Sequence, residues 1–334
     1  MTAVSAAVFK HHSLEQGELT LHWVSAGEGP LVLLAHGFPG LWYSWRHQLP
    51  ALAGAGYQAV ALDMRGYGAS SRPLDTAAYR FDRQAADLLA VLDHYGADSA
   101  VLVGHDFGAN LAWHMGVHYP DRIAAVAALA SPRGMPLAGG GDVLPSTQFA
   151  AVAEQHFFHM HYFQQPGVAE ADLEGNEETF LRRLFWALSS DGHLLDWQNY
   201  PSEGTRYLDV LAEPVTPLPW PWLSESEFQY YLTSYLAQPG PAVFAGGLNA
   251  YRVMDANWIA FRESLHQPLP CPALFLAGEN DPVIKLCPPE VWERQRGLVP
   301  DLRADLRVAG AGHFVQQEQP MATNRALLEF LAGL

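Results

Sequence analysis

At 334 residues the chain holds roughly two domains' worth of material. Apolar residues make up 49% and charged ones 16%, which excludes disorder and leaves ample substance for a core. With 19 basic and 35 acidic residues the net charge is −16, so phosphate backbones and anionic membrane faces repel it, and neither nucleic acid nor a membrane is expected as a partner.

In chain order, FKHHSLEQGELTLHWVSAG reads as two strands turning at Gln16 and Gly17, an antiparallel hairpin at a sheet edge. Four short apolar runs follow: LVLLAHG from Leu31, YQAVALDM from Tyr57, SAVLVGHD from Ser99 and IAAVAALAS from Ile123. Their continuous hydrophobicity marks strands buried on both faces, as in a central parallel sheet. Between them, FDRQAADLLAVLDHYG places Phe81, Ala85, Leu88, Leu89 and Leu92 on one helical face, with Gly96 set to end the helix. The stretch from Arg133 to Asn257 breaks the alternation with a Gly-rich AGGGD, a Pro-rich EPVTPLPWPW and mainly helical patterns. Asn176 is expected to cap EETFLRRLFWAL, and Ser224 with Glu227 forms a capping box for the next helix. Two strands come late, CPALFLAG from Cys271 and ADLRVAG from Ala304. The pattern predicts an α/β fold with helices on both faces of a mostly parallel sheet and an inserted helical domain. The expected parts are a core over 1–132, a helical cap over 133–257 and the rest of the core over 258–334.

The most informative stretch is Gly104-His105-Asp106-Phe107-Gly108, directly after a strand and before a helix that Pro120 closes. Small residues in that context allow a strained turn that lifts one side chain above the sheet, here Asp106 where serine is usual. The turn His36-Gly37-Phe38-Pro39-Gly40 follows the first central strand and can aim a backbone N–H at the same spot as that of Phe107, an oxyanion hole. Near the C-terminus, Gly310-Ala311-Gly312-His313-Phe314 places a histidine to act as a base, and Asp281, in GENDP, to hold its tautomer. Singly each is a common turn residue. Together, at three strand ends, they point to nucleophilic catalysis.

On HGFPG, WYSWRHQLPALAGAGYQAVALDMRGYGASS, GHDFGA, YFQQPGVAEADLE and GAGHF, the chain resembles the α/β-hydrolase family, in its epoxide hydrolase branch. The likeness runs over almost the whole chain from about Leu21 and extends to the hydrolase domain of the soluble mammalian enzymes. It implies an α/β-hydrolase fold and an aspartate nucleophile. A carboxylate attacks an sp³ carbon bearing a leaving group and forms an alkyl ester, which water activated by His313 then hydrolyses. The oxyanion hole of Phe38 and Phe107 serves that second step. No metal and no organic cofactor are implied; the expected partners are a small apolar epoxide and water.

Two cap tyrosines serve the epoxide oxygen in that branch. Tyr251 matches one; at the other position stands His159, which a minority of the branch pairs with tyrosine, and Tyr162 is the alternative three residues on. Dehalogenases share the triad and remain a second reading. Phe107, where haloalkane dehalogenases place tryptophan, and the lack of arginine around Asp106 favour the epoxide. A small-molecule receptor on the same fold is a third reading. Trp42, Met160, Tyr162, Trp186 and Met254 are expected to line the substrate site, with Trp45, Phe107, Phe157 and Trp258 as further candidates for an apolar tunnel.

Asp63 and Arg65 are expected to pair within a structural turn. His114 with His118, and His156 with His159, have helical spacing for a shared metal but lack a third ligand. Two isolated cysteines, Cys271 and Cys287, exclude a disulfide framework; with no signal-peptide pattern in MTAVSAAVFKHH and no apolar run of 18 residues, the expectation is a cytoplasmic protein.

Overall fold

The computed structural model describes residues 9–334. Eight strands form one sheet: β1 (Lys10–Gln16), β2 (Leu19–Ala26), β3 (Leu31–Ala35), β4 (Gln58–Asp63), β5 (Ala100–His105), β6 (Ile123–Leu129), β7 (Ala273–Gly278) and β8 (Leu302–Val308). Their spatial order is β1-β2-β4-β3-β5-β6-β7-β8. The β1–β2 hairpin and the β2–β4 pair are antiparallel, and every other pair is parallel. All residues of β3 and β7 are buried, as the unbroken apolar runs require. β8 starts at Leu302, two residues before the expected Ala304, because it is an edge strand. There Arg303 and Arg307 pair with Asp301 and Asp305, and such charges deter edge-to-edge association.

Side chains alternate between two apolar layers. Leu33, Val60 and Leu102 face one, with α2 (Phe81–His94) and α3 (Phe107–His118) packed on it. Val32, Leu34 and Val103 face the other, covered by α1 (Gln48–Gly54) and by the C-terminal helix Pro320–Ala332. The chain order reverses between β3 and β5, so the loops leaving their carboxyl ends border one crevice, where open α/β sheets bind ligands.

Between β6 and β7 the chain is helical: α4 (Pro145–Ala153), α5 (His159–Tyr162), α6 (Val168–Leu173), α7 (Glu177–Leu188), α8 (Tyr207–Val210), α9 (Glu225–Leu236), α10 (Ala245–Arg252) and α11 (Met254–Phe261). The return to the sheet comes after α11, which runs across the expected break at 257/258. Two arginines of the sheet domain grip α9 at its ends. Arg46 donates from Nε to Glu227 at 2.7 Å, and Arg72 donates to the carbonyls of Ser234 and Tyr235 at 2.6 and 2.7 Å. The Ser224–Glu227 capping box forms as expected. Asn176 stands at the N-cap of α7, but its amide donates back to the Asp172 carbonyl at 3.1 Å and accepts nothing from the helix. Asp63 and Arg65 do not pair. Asp63 receives Nδ1 of His22 and the backbone N–H groups of Trp42 and Ala69, whereas Arg65 bonds Asp87. After β7 come α12 (Pro282–Lys285) and α13 (Pro289–Leu298), and after β8 come α14 (Val315–Glu318) and α15 (Pro320–Ala332). Among the described residues no helix is long and apolar enough to cross a membrane.

Candidate active site

Asp106 sits between β5 and α3 with φ 56° and ψ −119°, a backbone conformation that costs a non-glycine residue about 1–3 kcal/mol. The strain is held by packing around it. Its N–H donates to the Leu129 carbonyl at 3.1 Å, and a side chain on Gly108 would strike the carbonyl of Ala35. A side chain on Gly37 would overlap the Asp106 carboxylate itself, which explains glycine in both sequence signatures.

The carboxylate is gripped on one side and open on the other. Oδ1 accepts the N–H of Phe38 at 3.0 Å, and Phe107 follows Asp106 directly at the start of α3. Oδ2 lies 3.6 Å from Nε2 of His313. Behind His313, Asp281 is wholly buried at the start of α12 and holds Nδ1 at 3.1 and 3.2 Å, while its Oδ1 accepts the Val283 N–H. Burial would neutralise His313, but the charges and hydrogen bonds of Asp281 and Asp106 outweigh it and hold the imidazole well above its ordinary range. Burial likewise opposes ionisation of Asp106, yet the hydrogen bond and charge of His313 keep its carboxyl below the ordinary value.

Asp106 and His313 open onto a cavity roofed by the helical segment and lined by Phe38, Phe107, His159, Met160, Tyr207, Tyr251 and Met254 among others. Tyr251, on α10, meets Phe107 edge-on at 4.8 Å and His159 edge-on at 5.4 Å. The His159 ring is stacked between Trp197 at 4.7 Å and Tyr207 at 5.7 Å, and its Nδ1 has no partner among the described residues. Burial lowers its pKa to about 3, so His159 is neutral, and burial raises that of Tyr251 well above the usual phenol value. A second cavity adjoins this one and shares Phe107, Asn110, Met135 and Met254.

A family model for the alpha/beta hydrolase fold matches residues 30–320. Epoxide hydrolase A of Mycobacterium tuberculosis is 42% identical over 317 residues, 94% of each chain. The chain belongs to the α/β-hydrolase family, in its epoxide hydrolase branch. Bifunctional epoxide hydrolase 2 of Sus scrofa is 35% identical over 93% of this chain and 53% of that longer one. The crystal structure of epoxide hydrolase A from Mycobacterium thermoresistibile superposes with a TM-score of 0.88 at 42% identity, covering 98% of this chain and 99% of that one.

In this α/β-hydrolase three residues expected at the substrate site lie elsewhere. Trp42 points into the opposite sheet layer, its indole N–H donating to the Tyr230 hydroxyl at 2.7 Å. Trp186 is turned away on α7 and packs on Trp220 at 5.2 Å. The Tyr162 hydroxyl donates to Asp172 at 3.2 Å, and the residue does not line the Asp106 cavity. Of the wider aromatic set, Trp258 reaches only the adjoining cavity, and Trp45 and Phe157 line neither cavity.

Sequence reasoning missed several contributors. His105, next to Asp106, donates from Nε2 to the His313 carbonyl at 2.8 Å; burial keeps it neutral, at about 3. His36 donates from Nδ1 to the Gly37 carbonyl and accepts the Met64 N–H on Nε2, pinning the Phe38 turn. The positions of His105 inside the elbow motif and of His36 at the head of the Phe38 turn were the available signals. For Trp197 and Tyr207, in irregular cap sequence, there was none.

Proposed function

We infer that this protein hydrolyses epoxides to vicinal diols, as a hydrolase acting on ether bonds, through a covalent ester on Asp106. The observation that carries the reading is the arrangement around one carboxylate. The Phe38 N–H holds it on one side, His313 backed by Asp281 stands on the other, and His159 and Tyr251 face the same cavity.

In the first step an Asp106 oxygen attacks a ring carbon, the C–O bond breaks, and the departing oxygen takes a proton from the Tyr251–His159 side. The ester cancels the charge on Asp106, removing one of the two carboxylates that hold His313 protonated; the imidazolium then gives up its proton, which restores by way of solvent the one that the Tyr251–His159 side lost, and the neutral imidazole can serve as base. His313 then takes a proton from water as it attacks the ester carbonyl. The oxyanion forms where Phe38 already donates to Oδ1. Collapse breaks the ester bond, releases the diol and restores the Asp106 carboxylate. The mainly apolar cavity lining suits a small apolar epoxide.

On this reading the helical segment, residues 133–257, is a cap that supplies the proton donors, between core parts 1–132 and 258–334. The free thiols of Cys271 and Cys287 suit the cytoplasm.

The test is trapping. His313→Gln mixed with an epoxide should accumulate a substrate-sized mass increase on the peptide bearing Asp106, and Asp106→Asn should abolish turnover. Multiple turnover by His313→Gln without any adduct would reject the two-step mechanism. Turnover of haloalkanes or fluoroacetate but not of epoxides would select the dehalogenase reading.

A further inference from the structure

After β8 the chain passes through Gly310–Phe314 and enters α14, whose last residue is Glu318. Its carboxylate turns back on the loop. Oε2 accepts the Gly312 N–H at 2.9 Å and Oε1 the Phe314 N–H at 3.0 Å, so the two bonds bracket His313. Oε2 also accepts the N–H of Ser190 at 2.8 Å, two residues beyond α7. The carbonyl of Leu188, which ends α7, receives the N–H of His313 itself at 2.9 Å. The Ser190 hydroxyl in turn accepts from the amide of Asn280, the neighbour of Asp281, at 2.9 Å.

We propose that Glu318 is a positioning residue for His313, a single carboxylate that fixes the backbone on both sides of the base and locks it to the end of α7. The chemistry requires an acid here. Three N–H donors converge on two oxygens, and a carboxylate offers acceptor sites alone. An amide would turn one NH₂ group against an N–H. The site is shielded as well: burial lifts Glu318 to about 7 although all three donors favour its charge and only Asp281 adds to the rise. Close packing leaves the loop no other seat, because a side chain on Gly312 would run into the backbone of Ser189 and Ser190.

The consequence falls on one step. Opening the epoxide needs Asp106 and the cap donors, whereas hydrolysing the ester needs the His313 ring aimed at a water beside the Asp106 carbonyl. A displacement of about 1 Å in a reacting group costs up to about 10²-fold. The proposal rests on the two-step reading of Asp106 and His313.

Styrene oxide is the probe. Single-turnover quenching with mass spectrometry resolves ester formation from ester hydrolysis in wild type, Glu318→Gln, Glu318→Asp and His313→Gln. Glu318→Gln should form the ester at a rate near wild type and hydrolyse it about 10–100-fold more slowly. In the steady state kcat and KM should then fall together while kcat/KM holds, a split that general loosening does not produce. Glu318→Asp keeps the charge but stops one methylene short, so its hydrolysis should be intermediate, and it carries the test should Glu318→Gln not fold. Equal slowing of both steps, or unchanged hydrolysis, overturns the positioning role. An absent adduct in His313→Gln rejects instead the ester mechanism on which it stands.

Discussion

Nε2 of His313 stands 3.6 Å from Oδ2 of Asp106, close enough for each to set the other's charge. Asp106 and Asp281 both raise the imidazole, and His313 lowers the Asp106 carboxyl. Asp106→Asn should therefore drop the His313 pKa toward its ordinary value while Asp281 keeps it from reaching it. Imidazole NMR titration of wild type and variant measures this. An unchanged His313 titration would show that the pair is not coupled and that ester formation does not release the base. The sign for stability follows. His313, raised on folding, contributes stability below its unfolded value that is lost as pH climbs through the folded one; Asp106, lowered, contributes stability that is lost as pH falls.

Asp281 is wholly buried, and its carboxylate divides between Nδ1 of His313 and the Val283 N–H. Asp281→Asn removes the negative charge and puts an NH₂ donor in place of one of the two oxygens that face Nδ1, so the imidazole loses the partner that fixes its tautomer and stabilises its charge. Ester hydrolysis should slow by about 10²–10⁴-fold and ester formation far less. Equal losses in both steps, read by rapid quenching, would point to a different acid.

Arg72 makes its contribution away from the chemistry. It donates to the carbonyls of Gly68, Ser234 and Tyr235, and removing it leaves buried acceptors at the C-terminal end of α9 without donors. Arg72→Met should cost about 2–4 kcal/mol in urea unfolding. No residue of α9 lines the Asp106 cavity, so kcat per folded molecule should change little. A stability loss under about 1 kcal/mol would mean that water replaces the guanidinium there.

What was legible in the sequence follows from what each feature depends on. A strand buried on both faces has to be apolar throughout, so the central strands declared themselves, and β8 blurred because an edge strand carries Arg303, Asp305 and Arg307. The elbow was legible because close approach of Gly37 and Gly108 to other backbone and to Asp106 excludes any side chain. The direction of a large side chain leaves no such mark. Trp42 and Trp186 belong to aromatic clusters set by distant segments, Tyr230 and Trp220, and Tyr162 is turned by Asp172 ten residues on. Asn176 has the residue type of a cap and the position of one, yet the Asp172 carbonyl competes for its amide.

The remaining prediction concerns the oxygen side of the cavity, where His159 and Tyr251 meet edge-on at 5.4 Å. Stacking between Trp197 and Tyr207 fixes the His159 plane, and the residue lines the Asp106 cavity. A donor whose contact strengthens only as the alkoxide develops lowers the barrier without tightening binding. Losing one such donor typically costs about 10²–10³-fold in rate, so Tyr251→Phe and His159→Ala should each slow ring opening to that extent. Tyr162→Phe should be mild, because that hydroxyl is spent on Asp172 and the residue does not line the Asp106 cavity. The pH profile discriminates further. Burial holds His159 near 3, so across about pH 5–8 it carries one N–H and no charge, and its donation does not titrate. Asp106 is ionised over the same window, since its carboxyl lies below the ordinary value. Ring opening in single turnover should therefore stay flat there. A fall with the midpoint of an ordinary histidine would mean that an imidazolium is the donor, and a crippling Tyr162→Phe beside a harmless His159→Ala would return the role to a pair of tyrosines.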